Sequence, residues 1–214
     1  MILKKLGTLR KKLNLEVIFV DDSSTDRTFS IGKKLAPRKA IRHSENYGKG
    51  AAIRTGIKHS TGDVLVIQDA DLEYPPENIP KIVDPIIRKQ ADAVYGSRLL
   101  DSNDTGMKVL HVVGNKILSA VASVLYGTRI SDVMTGHKAF RKKAVDSLTL
   151  TRNGFEIEVE ITAKLLLSRS KLVEVPVSYH TRERGRSKIG LRHGFTSLMT
   201  LVMERVASIG HSDL

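Results

Sequence analysis

The sequence predicts an α/β fold in which a mainly parallel central sheet is flanked by helices. Short apolar runs alternate with helical patterns along the chain, and alternation of this kind favours right-handed crossovers between parallel strands. These runs are apolar nearly throughout, as in strands that are covered on both faces. The chain has 214 residues and 41% hydrophobic content, enough for one core, so a single domain over residues 1–214 is expected.

The first half of the chain alternates between segments with helical spacing of apolar residues and short apolar runs typical of strands. Ile2, Leu6, Leu9 and Leu13 recur at helical spacing, so an amphipathic helix is predicted at the start. Strands are predicted at Leu15–Val20, Asp63–Gln68 and Asp92–Gly96, and helices at Thr25–Ala36 and Gly48–Ser60. Either Ser24 or Thr25 is expected to cap the first of these two helices.

The second half is predicted to contain helices at about Val109–Tyr126, Glu156–Ser168 and Phe195–Ile209, and strands at His137–Arg141 and Leu172–Tyr179. No stretch reaches the roughly 18 to 20 uninterrupted apolar residues of a membrane span. Glu204 and Arg205 interrupt the apolar residues of the last helix. This helix is expected either to lie at a membrane interface or to pack in the core, and the pattern does not decide between the two.

Composition limits the function classes. The 35 Lys and Arg residues against 23 Asp and Glu residues give a net charge of +12, so an anionic partner is expected: nucleic acid, a membrane surface or phosphorylated small molecules. Aromatic residues make up 5% and do not interleave with the basic segment, which disfavours nucleic acid. The chain contains no Cys, which excludes disulfides and thiolate chemistry.

Polar clusters directly follow the predicted strands, where ligands bind in parallel sheets. They comprise Asp21, Asp22 and Ser24 after one strand, Asp69 and Asp71 after the next, and Gly96 to Arg98 after the third. Two carboxylates separated by one residue suit a hard cation that shares its coordination with a diphosphate. The alternative is that these carboxylates cap the following helix.

Three further segments carry candidate residues. The segment from Asn46 to Gly50 places two glycines and Lys49 at a helix start, which favours anions, although its spacing matches neither a Walker A loop nor a dinucleotide fingerprint. The arginines from Arg182 onward fit either phosphate recognition or a solvated basic loop. Glu158 and Glu160 lie at a helix start, where negative charge is favourable, and Glu160 can pair with Lys164 one turn later. A structural role is therefore expected for these two residues, and Glu156 remains a candidate site residue.

Seven segments together resemble the family 2 glycosyltransferases, and within them the dolichol-phosphate mannose synthase-like group. In chain order they are VDDSSTDRT, NYGKGAA, QDADLEYPPE, YGSRLL, DVMTGHKAFRKKAV, GFEIEVEITAKL and VEVPVSYHTRERGRSKI. The resemblance implies a GT-A fold and an inverting transfer from a nucleotide-sugar donor. It also implies a nucleotide and metal half at about residues 1–100 and an acceptor half at about 101–214.

The resemblance assigns roles by matching position. The expected ligands of Mg²⁺ or Mn²⁺ are Asp69, Asp71 and Glu73. The expected donor-binding residues are Asp21, Asp22, Ser24, Asn46, Gly48, Lys49, Gly50 and Asp69. An acceptor phosphate is expected to contact Arg98, Arg182, Arg184, Ser187 and Lys188, and the expected catalytic residues are Asp71, Arg98 and Glu156. Glu156 is the first choice of general base if the acceptor is a hydroxyl.

The expected reaction is transfer of a hexose, with mannose from GDP-mannose preferred, to a polyprenyl phosphate such as dolichyl phosphate. The expected partners are this lipid and a membrane surface or membrane-anchored protein, with a peripheral location at the cytoplasmic face and no nucleic acid. A UDP-sugar-dependent relative acting on another lipid or glycan is one alternative. The family usually opens with a central V-I-P-x-Y-N-E strand, whereas Met1 lies in the helix that follows it. A misplaced start codon or a truncated, non-catalytic relative would explain this difference.

Overall fold

The computed structural model describes residues 2–10, 13–36, 39–101, 106–181 and 190–210. Within these ranges the strands are β1 (Phe19–Asp21), β2 (Ala40–Arg42), β3 (Val64–Ile67), β4 (Ala93–Ser97), β5 (Lys138–Arg141) and β6 (Leu172–Pro176). The helices are α1 (Ile2–Arg10), α2 (Thr28–Leu35), α3 (Lys49–His59), α4 (Ile79–Ile87), α5 (Val109–Tyr126), α6 (Lys142–Asp146), α7 (Ile157–Leu167) and α8 (Leu191–Gly210).

The main sheet has the order β3-β5-β4-β6. Strands β3, β4 and β6 share one direction, as predicted, and β5 runs antiparallel between β3 and β4. Because β5 is reversed, its first residue, Lys138, lies opposite both Ile67 and Tyr95. The loop that precedes β5 is therefore placed at the carboxyl ends of β3 and β4, where the predicted site residues lie.

The remaining two strands, β1 and β2, form a separate parallel pair. Among the described residues, no hydrogen-bonded ladder joins this pair to the main sheet. One edge of β1 and one edge of β3 therefore lack a neighbouring strand in the described part of the chain.

Both faces of the main sheet are covered. Val94 packs on one face with buried residues of α1 and α4, and its neighbours Ala93 and Tyr95 pack on the other face with α7. This alternation follows from the two-residue period of a strand. A third cluster joins α5, α7 and α8 around Leu118, Val159 and Leu201. The sheet that carries the site is therefore held between two helical layers.

The structure contains elements that the sequence analysis did not predict, namely β2, α4 and α6. Two prolines obscured α4. Pro80 lies in the first turn, where a backbone N–H group has no helical partner, and Pro85 lies near the end of this short helix. Four buried residues at helical spacing were the available signal: Ile79, Ile82, Val83 and Ile86.

Helix α5 begins and ends at the predicted residues. It has the length and mean hydropathy of a membrane-spanning helix, with 22% of its residues buried. The prediction was that no stretch reaches the length of a span in uninterrupted apolar residues, and His111, Asn115 and Lys116 do interrupt the apolar residues of α5. Length and composition alone are weak evidence for a span.

Candidate functional site

The predicted residues after β1 and before α3 lie together. The Asp22 carboxylate accepts hydrogen bonds from the backbone N–H groups of Tyr47 (3.0 Å) and Gly48 (2.7 Å). The Asn46 side-chain amide donates to the Asp22 carbonyl at 3.2 Å. These residues belong to two separate segments that are in contact in the structure, and their shared role in binding a donor stays a prediction.

His43 is a member of this cluster that sequence reasoning missed. Its Nδ1 lies 2.7 Å from Asp22 Oδ1, and its Nε2 lies 2.9 Å from Thr55 Oγ1. Burial opposes the ionisation of Asp22, but the hydrogen bonds from His43, Tyr47 and Gly48 outweigh it and lower the pKa of this carboxyl. An open cleft of about 350 Å³ adjoins the cluster and is lined by His43, Tyr47 and Arg54 among others.

Asp21 is almost fully buried at the end of β1. Its Oδ2 accepts from the Ser24 N–H group at 3.2 Å and lies 3.3 Å from Arg42 Nε. Its Oδ1 is buried and has no hydrogen-bond partner among the described residues. Ser24 does not cap α2, which begins at Thr28, where Asp26 accepts from the first N–H group at 2.8 Å. The expected Ser24 or Thr25 cap is therefore wrong.

The glycines before and within α3 serve close packing. Gly48 has a φ of +99°, and a Cβ there would lie 2.5 Å from the Asn153 carbonyl oxygen. The Gly50 N–H group donates to the same carbonyl at 2.6 Å. Since the N–H groups of Gly48 and Gly50 both donate within the chain, they are not open to an anion in this structure. A contact between these residues and a donor stays a prediction.

Lys49 connects the predicted metal-binding motif, Asp69 to Glu73, to the protein interior. Its Nζ lies 2.7 Å from Asp69 Oδ2 and 2.9 Å from Glu158 Oε1. Glu158 also pairs with Lys138, and both of these side chains are buried. Burial alone would lower the pKa of Lys49, but the two carboxylates outweigh it and raise that pKa. The sequence analysis assigned Glu158 a structural role, whereas the structure places it one ion pair away from Asp69.

The loop before β5 shapes the space around Asp69. A Cβ at Gly136 would lie 2.5 Å from Asp69 Oδ2 and 3.2 Å from Lys49 Nζ. Only glycine therefore leaves room for this ion pair. This role could not be predicted from the sequence, because contact between Gly136 and Asp69 depends on the reversed direction of β5.

The metal-binding motif forms a turn after β3. The Asp71 carboxylate accepts from the Glu73 N–H group at 3.2 Å, and Leu72 between them has a φ of +69°. Within the described residues, no group of three or more acidic or His side chains is arranged to hold a metal. The carboxylate oxygens of Asp69 and Asp71 are donors of the kind that a hard cation binds, and its remaining ligands would come from diphosphate and water.

Arg98 points toward the interior, not toward an open acceptor site. Its guanidinium makes two hydrogen bonds to Asp132, at 2.8 and 2.7 Å, and its side chain is 9% exposed. The rings of Tyr74 and Tyr179 lie 5.9 and 5.4 Å from its Cζ atom. Burial opposes the ionisation of Asp132, but Arg98 outweighs it and lowers the pKa of that carboxyl. The geometry therefore favours a structural role for Arg98 over the expected phosphate contact.

The other candidates for acceptor binding and catalysis are distributed as follows. Glu156 is partly buried and accepts from the Gly154 N–H group at 3.2 Å. Glu160 has the structural role that was predicted and pairs with Lys164 at 2.6 Å. Arg182, Arg184, Ser187 and Lys188 lie outside the described residues. The described segment before them is attached to the metal-binding motif, because the His180 N–H group donates to the Glu73 carbonyl at 2.8 Å.

His137 is expected to make the protein less stable in acid. It is fully buried and stacks on Tyr74 with 5.3 Å between ring centroids, and burial lowers its pKa to about 4. The unfolded chain binds a proton near pH 6.5 and the folded chain does not, so the free energy of unfolding decreases as the pH falls from about 6.5 toward about 4. Urea unfolding at about pH 7.5 and about pH 5 should show a decrease about 2 kcal/mol larger in the wild type than in His137→Phe. Equal decreases would contradict the prediction.

The chain is similar to known proteins over the segments that contain these motifs. Residues 2–149 match the family described as Glycosyl transferase family 2. The chain is 34% identical over 198 residues to a dolichol-phosphate mannosyltransferase of Pyrococcus furiosus, covering 88% of this chain and 54% of the relative, or about half its length. It is 29% identical over 216 residues to a UDP-N-acetylglucosamine–dolichyl-phosphate N-acetylglucosaminyltransferase of Methanococcus voltae, covering 90% and 86%.

The fold also has solved counterparts. The Mycobacterium tuberculosis glucosyl-3-phosphoglycerate synthase, crystallised with Mn²⁺ and UDP-glucose, superposes with a TM-score of 0.72 at 19% identity. The match covers 95% of this chain and 73% of that one. The family match covers well over half of the chain and includes both strand-end clusters. This chain therefore belongs to glycosyl transferase family 2 and has the GT-A fold.

Proposed function

We propose that the protein transfers a hexose from a nucleotide-sugar donor to a polyprenyl phosphate such as dolichyl phosphate. The observation that carries the proposal is the pair of adjoining clusters, one around Asp22 and one around Asp69, which Gly48 and Lys49 connect. The first offers carboxylate oxygens for a nucleoside, including the buried Asp21 Oδ1, which has no hydrogen-bond partner in the described part of the chain. The second offers carboxylates and an ammonium group for a diphosphate and its metal ion.

The proposed ligands of Mg²⁺ or Mn²⁺ are Asp69, Asp71 and Glu73. A divalent ion bound there would neutralise the charge that develops on the leaving nucleoside diphosphate. The Mn²⁺ in the Mycobacterium tuberculosis structure supports a divalent metal in proteins of this fold. Asp21, Asp22, Ser24 and Asn46 are the proposed contacts of the nucleoside, and Lys49 is the proposed contact of the diphosphate.

The relatives' names support the choice of acceptor. A lipid phosphate is already ionised at neutral pH, so it needs cations that align it more than it needs a general base. Arg182, Arg184, Ser187 and Lys188 are the proposed contacts, because the segment that leads to them is attached to the metal-binding motif at Glu73. Glu156 would be required as a base only for a hydroxyl acceptor.

The donor is proposed to be GDP-mannose, with a UDP-sugar as the alternative. The Pyrococcus furiosus relative is named a mannosyltransferase, and the Methanococcus voltae relative is named for UDP-N-acetylglucosamine. Calorimetric titration of the chain with GDP-mannose, UDP-glucose and UDP-N-acetylglucosamine, each with Mn²⁺ and with chelator, separates these donors. We expect metal-dependent binding of GDP-mannose that is lost in Asp71→Ala. Binding of no donor by the folded chain would favour a non-catalytic role.

We further propose that α5 and α8 rest on the cytoplasmic surface of a membrane, near the lipid acceptor. The two helices pack together at Leu118 and Leu201. Each also exposes a row of large apolar side chains at helical spacing: Val109, Val113 and Ile117 on α5, and Phe195, Met199, Val202, Val206 and Ile209 on α8. Glu204, expected to interrupt the row on α8, is 17% exposed and lies near Lys164. A chain with net charge +12 would also be attracted to anionic lipid.

Vesicle binding tests this surface. Phe195→Asp/Val206→Asp should bind vesicles of phosphatidylcholine and phosphatidylglycerol at least about tenfold more weakly than the wild type, because two exposed apolar side chains become charged. Ile31→Asp, which alters an exposed apolar residue of α2, is the matched control and should bind like the wild type. Equal binding by all three proteins would exclude α8 as the membrane contact.

A further inference from the structure

Four charged side chains form a row from the interior to the metal-binding motif. In order they are Lys138, Glu158, Lys49 and Asp69, with ammonium and carboxylate groups alternating. Exposure increases along the row, from 0% for the Lys138 side chain through 2% for Glu158 to 17% for Lys49 and 30% for Asp69. Asp69 is therefore the end of the row that a solute can reach.

The interior end of the row is fixed. Lys138 Nζ donates to the carbonyl groups of Val133 (3.1 Å) and Thr135 (2.7 Å) and pairs with Glu158 Oε2. The other oxygen of Glu158, Oε1, faces Lys49 at 2.9 Å. Lys49 thus has two carboxylate partners, one held by the protein interior and one in the metal-binding motif.

This arrangement affects how readily Asp69 is released from Lys49. A divalent cation on Asp69 must displace or repel the Lys49 ammonium, which lies 2.7 Å from Oδ2. If Glu158 were uncharged, this release would leave a largely buried ammonium without a counter-charge, which is costly. With Glu158 present, Lys49 keeps one ion pair after the other is broken.

We propose that Glu158, fixed by Lys138, is a positioning residue that retains Lys49 and thereby frees the Asp69 carboxylate for a divalent cation. The inference rests on the proposed function, since it assumes that Asp69 is a metal ligand. Lys49 Nζ lies 2.7 Å from Asp69 Oδ2, so it competes with a cation for that carboxylate oxygen. Gly136 preserves the room for this exchange, because any side chain there would meet both groups.

Manganese binding without nucleotide, followed by electron paramagnetic resonance of free Mn²⁺, tests the inference. Glu158→Gln should weaken Mn²⁺ binding about tenfold, because Asp69 becomes the only carboxylate partner of Lys49. Lys49→Gln should strengthen binding several-fold, and Lys49→Arg should not. Lys171→Gln removes one exposed positive charge at the start of β6 and should leave Mn²⁺ affinity unchanged.

The decisive comparison is the double variant. With Lys49→Gln in place, Glu158→Gln should no longer change Mn²⁺ affinity, whereas a general structural effect of Glu158 would persist. If Glu158→Gln fails to fold, Lys138→Met/Glu158→Gln, which removes both buried charges, replaces it in both backgrounds. Equal effects of the Glu158 change with and without Lys49 would overturn the inference alone. Failure of the wild type to bind Mn²⁺ even with a nucleoside diphosphate would instead overturn the proposed function.

Discussion

Asp132→Ala is expected to lower the free energy of unfolding by about 3–5 kcal/mol, the largest stability effect predicted for this chain. Asp132 is fully buried and accepts hydrogen bonds from Arg98 and from the Asn115 amide at 2.7 Å. Its removal would leave the Arg98 guanidinium, which is 9% exposed, without a counter-charge. Urea unfolding at neutral pH measures the loss.

Two variants separate the buried pair from a general effect of losing an aspartate. Asp84→Ala removes a carboxylate from an exposed pair with Arg88 on α4 and should cost less than about 1 kcal/mol. Arg98→Met/Asp132→Leu removes both members of the buried pair and should recover part of the stability lost in Asp132→Ala. A loss in Asp132→Ala no larger than that in Asp84→Ala would contradict the interpretation of Arg98 as structural.

Asp71→Asn is expected to reduce transfer to a polyprenyl phosphate about a thousandfold, which corresponds to about 4 kcal/mol of transition-state stabilisation. The amide keeps the shape of the side chain but removes the negative charge proposed to hold the cation. Because this charge acts on the leaving diphosphate, kcat should decrease more than the affinity for the acceptor. Turnover of radiolabelled donor at saturating lipid acceptor measures the change.

The matched control for this variant is Asp92→Asn, at the opposite end of β4 from the site. Asp92 pairs with Arg141 at 3.0 Å and has no proposed contact with the donor. The Asp92→Asn variant should retain a turnover within about threefold of the wild type. If Asp71→Asn turns over like this control, Asp71 is not a ligand of the catalytic metal.

The local sequence determined most of the elements and their order. Residues of β1, β3 and β4 form apolar runs, and α5 is rich in apolar residues over its 18 positions. Each of these elements could therefore be predicted from its own segment. The polar residues after β1 and β3 were expected to lie close together because parallel strands share their carboxyl edge. They adjoin through Gly48 and Lys49, although β1 belongs to a separate pair of strands. The α4 helix was missed because Pro80 and Pro85 obscured a buried helical pattern.

Tertiary structure decided which charged groups meet. The reversed direction of β5 brings Gly136 to the metal-binding motif and Lys138 to Glu158, which α7 supplies from a segment far along the chain. The ion pair of Arg98 with Asp132 could not be predicted, because the two residues are 34 positions apart in the sequence. Sequence spacing records neighbours along a strand or helix, whereas the partner of a buried charge is set by how those elements pack. The sequence by itself therefore determined the fold class and the edge where the site lies, and the packing determined the ion pairs within it.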